Sequence, residues 1–590
     1  MLADLAAPFV LLDDAGPGGA PARLFSRPVS TIEAREPAEV RPALEAIRLG
    51  LAEGRHAAGF LAYEAGAGLE PRFAVHATGG APLLWFGLFD EVETIPADAV
   101  PGLLPDPAAA WVGTPEPEID RAAYDARLAR VLELIAAGDI YQANLTFPAA
   151  VRQMGDPLAI YAGLRQQAGA AYGAVIATGR ETILSLSPEL FFRLDGKRLL
   201  ARPMKGTAAR EAALDDDRRA VARLEADPKQ RAENLMIVDL LRNDLSHVAT
   251  PGSVETPRLF AIETYPTIHQ MVSDVTAELG EGRDAIDVVA ALFPCGSITG
   301  APKIRASEVI AEIEGAARGV YTGAIGHLAP HGDAAFNVAI RTLVLAGEGP
   351  ATLGLGSGIV AESRAGDEWA ECLAKGAFVT AGRRRFDLIE TMRFDPDYGV
   401  ALLERHLARM KASALAFGYP FDRHLTRNEM QAATFRLRDH RRIRLVLAPS
   451  GAIAIQVGPV PGNPDGPAKV AIVRRTVSPT DFRLAHKTSN RTIYEAPHRA
   501  AGTFEIAFVD DAGFLTEGSF TNIFVERDGQ LVTPPLARGL LPGVLRAELL
   551  ETGRAIEDDL TPADLSRGFF IGNALRGLLP AVAVANERGL

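Results

Sequence analysis

At Arg383-Arg384-Arg385 the pattern of the chain stops and starts again. The helical run GDEWAECLAKGAF comes before the triplet and a fresh strand pattern, FDLIETMRFD, follows it, so the chain must build at least two cores. Its 590 residues exceed what one core sustains, and a prior of about 150 residues per domain allows three or four packing units. We expect an α/β (α+β) protein in two parts, 1–382 and 383–590, the first divided into an N-terminal part, 1–115, and a core, 116–382. The basic triplet reads as a solvated linker.

Composition narrows the function. Apolar residues make up 48% and charged residues 23%, which is ordinary for a globular protein. A net charge of −13 argues against nucleic acid or an anionic membrane as partner, because both demand a basic surface. Two cysteines, Cys295 and Cys372, leave no disulfide framework and no thiolate metal cluster, and suggest a reducing compartment. The N-terminal stretch lacks the basic start and unbroken apolar core of a signal peptide, and no apolar run reaches about 18 residues. A cytoplasmic location is expected.

In Arg202-Pro203-Met204-Lys205-Gly206-Thr207 a lysine stands between backbone-constraining residues, so Lys205 is a candidate nucleophile. To react near neutral pH it must lose a proton from an ordinary pKa of about 10.4, which needs desolvation or cationic neighbours. The runs ETILSLSPELFFRL and KRLLARPM read as strands joined by a turn at Asp195-Gly196; that register sets Glu189 opposite Arg202, on the strand that leads to Lys205. Glu233 falls on the apolar face of the helix KQRAENLMIVDLLRNDL, where a carboxylate needs a partner: Arg242, or a metal. Glu368, Glu371 and Lys375 lie one turn apart on a second helix. Two helices offering carboxylates would suit Mg2+. Gly356-Ser357-Gly358 can let backbone N–H groups approach an anion, although it is no dinucleotide fingerprint. Tyr63-Glu64 reads as a strand end beside a turn.

The motifs GDIYQANL, SPELFF, RPMKGT, RAENLMIVDLLRNDL, SITGAPKIRASE, RGVYTGAIG, AIRT, GSGIVAES and EWAECLAK follow one another over about 260 residues. In this order they closely resemble the chorismate-utilising enzymes, the family of anthranilate synthase and aminodeoxychorismate synthase large components. The resemblance implies a fold of layered β-sheets and helices with a Mg2+-containing chorismate site. Glu233 and Glu371 would hold the metal, with Glu368 as a further carboxylate; Gly206, Thr207, Thr299, Tyr321, Arg341, Gly356, Ser357, Gly358 and Lys375 would line the substrate. Anthranilate synthases carry alanine where this chain has Lys205, and aminodeoxychorismate synthases carry the lysine. The family mechanism makes Lys205 the nucleophile and Glu189 the acid. Gln270 and Cys295 depart from the family pattern, the first standing where anthranilate synthases have histidine. No Cys/His glutaminase arrangement is visible, so ammonia would come from solution or from a separate glutamine amidotransferase subunit.

After the triplet come LLERHLARMKASALAFGY, HKTSNRTIYEAPHRA, FLTEGSFTNIFVERDGQLVTPP, GLLPGVLRAELLE and FFIGNALRGLLPA. This order resembles the fold-type IV pyridoxal-phosphate enzymes, which include class IV aminotransferases and 4-amino-4-deoxychorismate lyase. The resemblance implies pyridoxal 5'-phosphate bonded to Lys487, which then shuttles the proton. Glu517 would face the pyridine nitrogen, Tyr494 a cofactor oxygen, and Arg409, Asn573 and the backbone near Val544-Leu545 the phosphate. Family members usually have roughly 30 residues before the ETMR-like segment, which here follows Phe386 almost at once. Together the two resemblances imply a bifunctional enzyme that makes 4-aminobenzoate for folate from chorismate and ammonia, with a homodimer through the C-terminal part as a possible assembly. The competing expectation is anthranilate chemistry with an aminotransferase-like or scaffolding tail.

Overall fold

The computed structural model describes residues 2, 5–16, 18–211, 213–264, 268–347 and 349–584. Cα proximity divides the chain into two compact units: Met1–Pro107, Thr114–Gln153 and Pro157–Gly382 form the first, while Ala108–Gly113, Met154–Asp156 and Arg383–Leu590 form the second. No helix among the described residues is long and apolar enough to cross a membrane.

The elements that build the site of the first unit are β1 (Gln142–Val151), β2 (Leu190–Asp195), β3 (Arg198–Arg202), β4 (Met204–Ala209), α1 (Pro228–Ser246), β5 (Ile268–Glu278), β6 (Ala351–Ile359) and α2 (Ala365–Gly376). Among the described residues the unit has two ten-stranded sheets. β1 and β6 are neighbours in one; β4, β5, β3 and β2 run in that order from the edge of the other. Val10, Phe25 and Ile176 of the first sheet pack against Phe60, Trp85 and Ile325 of the second, so the sheets share an apolar layer. The outer face of the second sheet carries another core, formed with helices Pro37–Ala52, α1 and Ala285–Leu292. Local chemistry fixes the element ends. Pro228 opens α1 where its missing N–H costs nothing, and the Asp227 carboxylate accepts from Lys229 N at 2.9 Å and Gln230 N at 3.1 Å. Asp120 caps helix Arg121–Ala136 by accepting from Ala123 N at 2.8 Å. That helix buries Tyr124, Leu128, Val131 and Leu134, with Leu132 and Ile135 half-buried beside them.

The hairpin register also needs correction. Asp195 pairs with Arg198, so the turn is Gly196-Lys197, with Gly196 at φ +59°. A bulge then brings Leu190, not Glu189, opposite Arg202. Tyr63-Glu64 lies in a short 3-10 turn, Tyr63–Ala65, directly after strand His56–Leu61, where the Glu64 carboxylate accepts from Arg318 N at 2.6 Å and Gly319 N at 3.0 Å. It ties down a neighbouring turn.

The second unit is built from β7 (Leu388–Asp395), α3 (Leu403–Phe417), β8 (Arg441–Leu447), β9 (Ile453–Pro459), β10 (Glu505–Val509) and α4 (Val544–Glu551), among others. Its four-stranded antiparallel sheet contains β7, β8 and β9; a mixed seven-stranded sheet begins with β10. β7 holds the Lys487 segment: the Lys487 carbonyl accepts from Ile389 N at 3.0 Å while Leu388 bridges Thr488.

Candidate functional site

Glu189 stands where the chain leaves one sheet of the first unit for the other, between strand Glu181–Ser187 and β2. It is 6% exposed. Ser297 Oγ donates to its Oε1 at 2.9 Å. Burial pushes the carboxyl up to about 7, against the opposing effects of the Ser297 bond and of the charges on Lys205 and Lys375.

Lys205 reaches the same place from β4. Pro203 separates β3 from β4, and Gly206 takes φ +99°, a conformation that side chains disfavour. Gln270 on β5 grips the bend: its Nε2 donates to Gly206 O at 2.8 Å, and Thr207 Oγ1 donates to its Oε1 at 2.9 Å. From α1 the buried Asn234 donates to Lys205 O at 3.4 Å, and its own Oδ1 accepts from Ser273 Oγ at 2.6 Å. The backbone is therefore held from two sides. The side chain extends to the first sheet, where a Cβ placed on Gly358 would lie 3.2 Å from Lys205 Nζ and 2.8 Å from Gln142 Nε2. Burial lowers the pKa of Lys205, helped by Lys375 and opposed by Glu189, Glu233 and Glu371. These five groups share one electrostatic field. Arg202, with the opposite strand parity, turns away to Asp274, whose Oδ1 accepts from Arg202 Nε at 2.6 Å. The sheet crossing, not hairpin pairing, brings Glu189 toward Lys205.

Gly356, Ser357 and Gly358 oppose Thr146, Leu145 and Asn144 in a regular ladder between β6 and β1. These residues thus form a regular strand, and Gly358 matters for the side chain it lacks. Lys375 on α2 donates to Gly356 O at 3.0 Å and pairs with Glu371 at 2.7 Å. Ser357 Oγ lies 3.4 Å from Tyr124 OH. Tyr321 packs its ring over Gly354, and burial raises its hydroxyl pKa. Arg341 holds φ +52° and accepts from Leu186 N through its carbonyl at 3.1 Å. Thr299 Oγ1 is committed to Cys295 O at 3.0 Å.

Glu233 does not pair with Arg242, which bonds Asp239 at 2.9 Å; its ion partner is Lys229 at 3.9 Å. Burial raises the Glu233 pKa, with the charges of Glu371 and Glu368 adding to the effect. No three His, Cys, Asp or Glu among the described residues converge to hold an ion unaided. Carboxylates on two helices that sense one another fit Mg2+, which is often held by one or two carboxylates with water and substrate completing its shell.

In the second unit a cavity of about 260 Å3 is lined by Arg409, Lys487, Tyr494, Glu517, Val544 and Asn573, among others. Burial brings the Lys487 ammonium down to about 7, aided by Arg491 and Arg409 and opposed by Glu390 and Glu517. Burial also raises Glu517 to about 7. The Glu517 carboxylate accepts from Tyr494 OH at 2.8 Å and from Leu541 N at 3.1 Å. Tyr494 is therefore engaged by Glu517 and not left free toward a cofactor oxygen. Arg409 does not project idly from α3. Its fork donates to Glu390 Oε1 at 2.8 Å and Oε2 at 2.6 Å, and its Nη1 to Pro542 O at 2.9 Å. Glu390 is buried, which raises its pKa, but Arg409 and His406 overcome this and hold it at about 2. Asn573 Nδ2 donates to Phe520 O at 3.1 Å, while its Oδ1 accepts from Leu575 N and Arg576 N. Val544 opens α4 at the cavity wall, and Leu545 follows it in the first turn. Glu505, fully buried on β10, accepts from Ser519 N, Ser519 Oγ, Phe520 N and Thr521 Oγ1 and so sets the loop after Glu517.

A concave site with a lysine near neutrality, a buried carboxyl, an anchored arginine and a helix N-terminus fits pyridoxal 5'-phosphate. Sequence reasoning had passed over Gln142, Asn234, Ser297, Glu390, His406 and Glu505. Most of them act through partners distant along the chain, which no local pattern reveals.

The two units thus define a two-site enzyme architecture, each site centred on a lysine of lowered basicity. Residues 8–381 match the family described as chorismate binding enzyme, and residues 387–584 match amino-transferase class IV. The chain belongs to the chorismate binding enzyme family and carries a class IV aminotransferase domain behind it. An aminodeoxychorismate synthase component 1 from Escherichia coli (strain K12) is 41% identical over 255 residues, 43% of this chain and 56% of that protein. An anthranilate synthase component 1 from Streptomyces coelicolor is 40% identical over 268 residues, 45% of this chain and 52% of that protein. The chain spans about half the length of the curated relatives it matches. The crystal structure of anthranilate synthase component I from Streptococcus pneumoniae TIGR4 shares the fold, with a TM-score of 0.53 and 23% identity over 64% of this chain and 93% of that one.

Proposed function

We propose that the first unit converts chorismate and ammonia to 4-amino-4-deoxychorismate, and that the second eliminates pyruvate from it to give 4-aminobenzoate. The observation that carries the first half is Lys205 Nζ at Gly358, within the field of Glu189, Glu233 and Glu371. Neutral Lys205 adds to C2 of chorismate, both conjugated ring double bonds shift, and the C4 hydroxyl departs as water with the proton of Glu189. Ammonia then attacks C4 and expels the Lys205 amine; the proton that ammonia sheds returns to the Glu189 carboxylate. Glu233 and Glu371, with Glu368 beside them, would hold Mg2+, whose charge would offset the ring carboxylate of the substrate. Gly206, Thr207, Tyr321, Arg341 and the Gly356–Gly358 strand are proposed to line the substrate.

In the second unit Lys487, near neutrality, accepts the proton from C4 of the intermediate. The C3–O bond breaks, the departing enol becomes pyruvate on protonation, and the ring becomes aromatic. Pyridoxal 5'-phosphate supplies the electron sink for this proton removal. Glu517, tied to Tyr494, would hold the proton at the cofactor's ring nitrogen, while Arg409 and the start of α4 would hold its phosphate. Ammonia is proposed to come from a separate glutamine amidotransferase subunit, as the likeness to a component 1 suggests. The similar identity to an anthranilate synthase component keeps anthranilate as the competing product of the first unit, and Lys205 favours the amino-deoxy product. Product identification from chorismate, Mg2+ and ammonium decides: 4-aminobenzoate with pyruvate supports both halves, whereas anthranilate sinks the first.

A further inference from the structure

The cavity of the second unit has more positive charge than a phosphate needs. Arg409, Arg442, Lys487, Arg491 and Arg576 line it, faced by one carboxylate, Glu517. Arg409 is neutralised by Glu390, and Arg491 donates to Ser519 O and stacks on the Tyr494 ring at 4.7 Å. Lys487 has its proton to carry. Two guanidinium groups remain without a carboxylate partner among the described residues.

Arg442 lies on β8, paired across the sheet with Gly458 of β9; its Nη2 sits 3.2 Å from where a Cβ on Gly458 would be. Among the described residues its side chain makes no hydrogen bond and no ion pair. Arg576 follows Asn573 and, among the described residues, bonds neutral acceptors, Pro461 O at 3.1 Å, Gly462 O at 2.7 Å and Asn463 Oδ1 at 2.8 Å, and lies 5.4 Å from the centre of the Phe504 ring. Pro461 itself lines the cavity just beyond β9, so Arg442 and Arg576 border one wall. Burial lowers the Arg576 pKa with only Glu505 opposing it. A guanidinium held partly out of water without a carboxylate partner is a ready anion site.

We propose that Arg442 and Arg576 are the specificity residues of the second unit, each taking one carboxylate of a dicarboxylic substrate. This rests on the reading of the cavity as a lyase site. Its substrate carries a carboxylate on the ring and another on the enolpyruvyl ether at C3, and two separate guanidinium forks match two separate carboxylates. The pair would turn away monocarboxylic amino acids, which leave one fork unpaired.

The test is calorimetric titration of the full chain, reconstituted with pyridoxal 5'-phosphate, with two inert probes. 3-(Carboxymethoxy)benzoate has both carboxylates and 3-methoxybenzoate has one. The unsubstituted protein should bind the dianion at least about tenfold more tightly. R442A should cut this preference by about tenfold or more while affinity for the cofactor and melting temperature stay unchanged; R576K, which keeps the charge but loses the fork, should cut it less. Equal affinity for the two probes, or an R442A protein that keeps the preference, overturns the proposal. Pyruvate release from 4-amino-4-deoxychorismate is assayed in parallel and reports on the lyase reading alone.

Discussion

Glu189 and Lys205 have opposite needs that one desolvated site meets. Burial disfavours whichever form is charged, so the same surroundings keep a proton on the carboxyl and take one from the amine. Glu189 acts in its protonated form, and its pKa stands near 7. Synthase activity should therefore fall as pH rises through that value. Glu189→Gln should lose about 100-fold to 10,000-fold and abolish that limb of the pH–rate profile. Ser297 donates to the carboxylate and favours its charged form, so Ser297→Ala should shift the limb to higher pH; an unchanged limb would remove Ser297 from the site. Lys205→Ala should abolish 4-amino-4-deoxychorismate formation or divert it to another product, while pyridoxal 5'-phosphate still bonds Lys487. Chromatography of products and the cofactor's absorbance check the two parts.

At the scale of elements, the strand that carries Gly358 is as much a part of the site as the strand that carries Lys205. Gly358→Ala would place a methyl 3.2 Å from Lys205 Nζ. Synthase activity should fall about 100-fold, the order expected of a 1 Å misplacement, and the melting temperature should barely move. Glu390 joins β7 to α3. Its depressed pKa contributes stability that is present above the unfolded value of about 4.3 and is lost as pH falls through about 2. Glu390→Ala leaves Arg409 unpaired and should cost about 3–5 kcal/mol, read as a lower melting temperature and weaker cofactor binding.

Much of this was legible in the chain. Lys205 stood out between proline and glycine. The meeting of Lys205 and Glu189 was expected for the wrong reason. Sequence placed the hairpin turn one residue early, and the two groups come within each other's electrostatic reach where Pro188-Glu189 crosses between sheets, which no local pattern encodes. Gly356–Gly358 carried no strand signal because a glycine has no side chain to show the alternation, and Glu390 gave no hint of its role because its partners Arg409 and His406 lie on another element.

For the whole molecule, the division into two units implies that the half-reactions separate by mutation. Lys487→Ala should accumulate 4-amino-4-deoxychorismate from chorismate. Lys205→Ala should make no intermediate but still release pyruvate from the intermediate when it is supplied, and mixing the two variants should restore 4-aminobenzoate. A Lys205→Ala protein that also loses pyruvate release would tie the sites together. The most direct measurement is to incubate the full chain, loaded with pyridoxal 5'-phosphate, with chorismate, Mg2+ and ammonium and to identify the products by mass. Equal amounts of 4-aminobenzoate and pyruvate are expected, both lost in Lys205→Ala; anthranilate as the amino product would contradict the role given to Lys205.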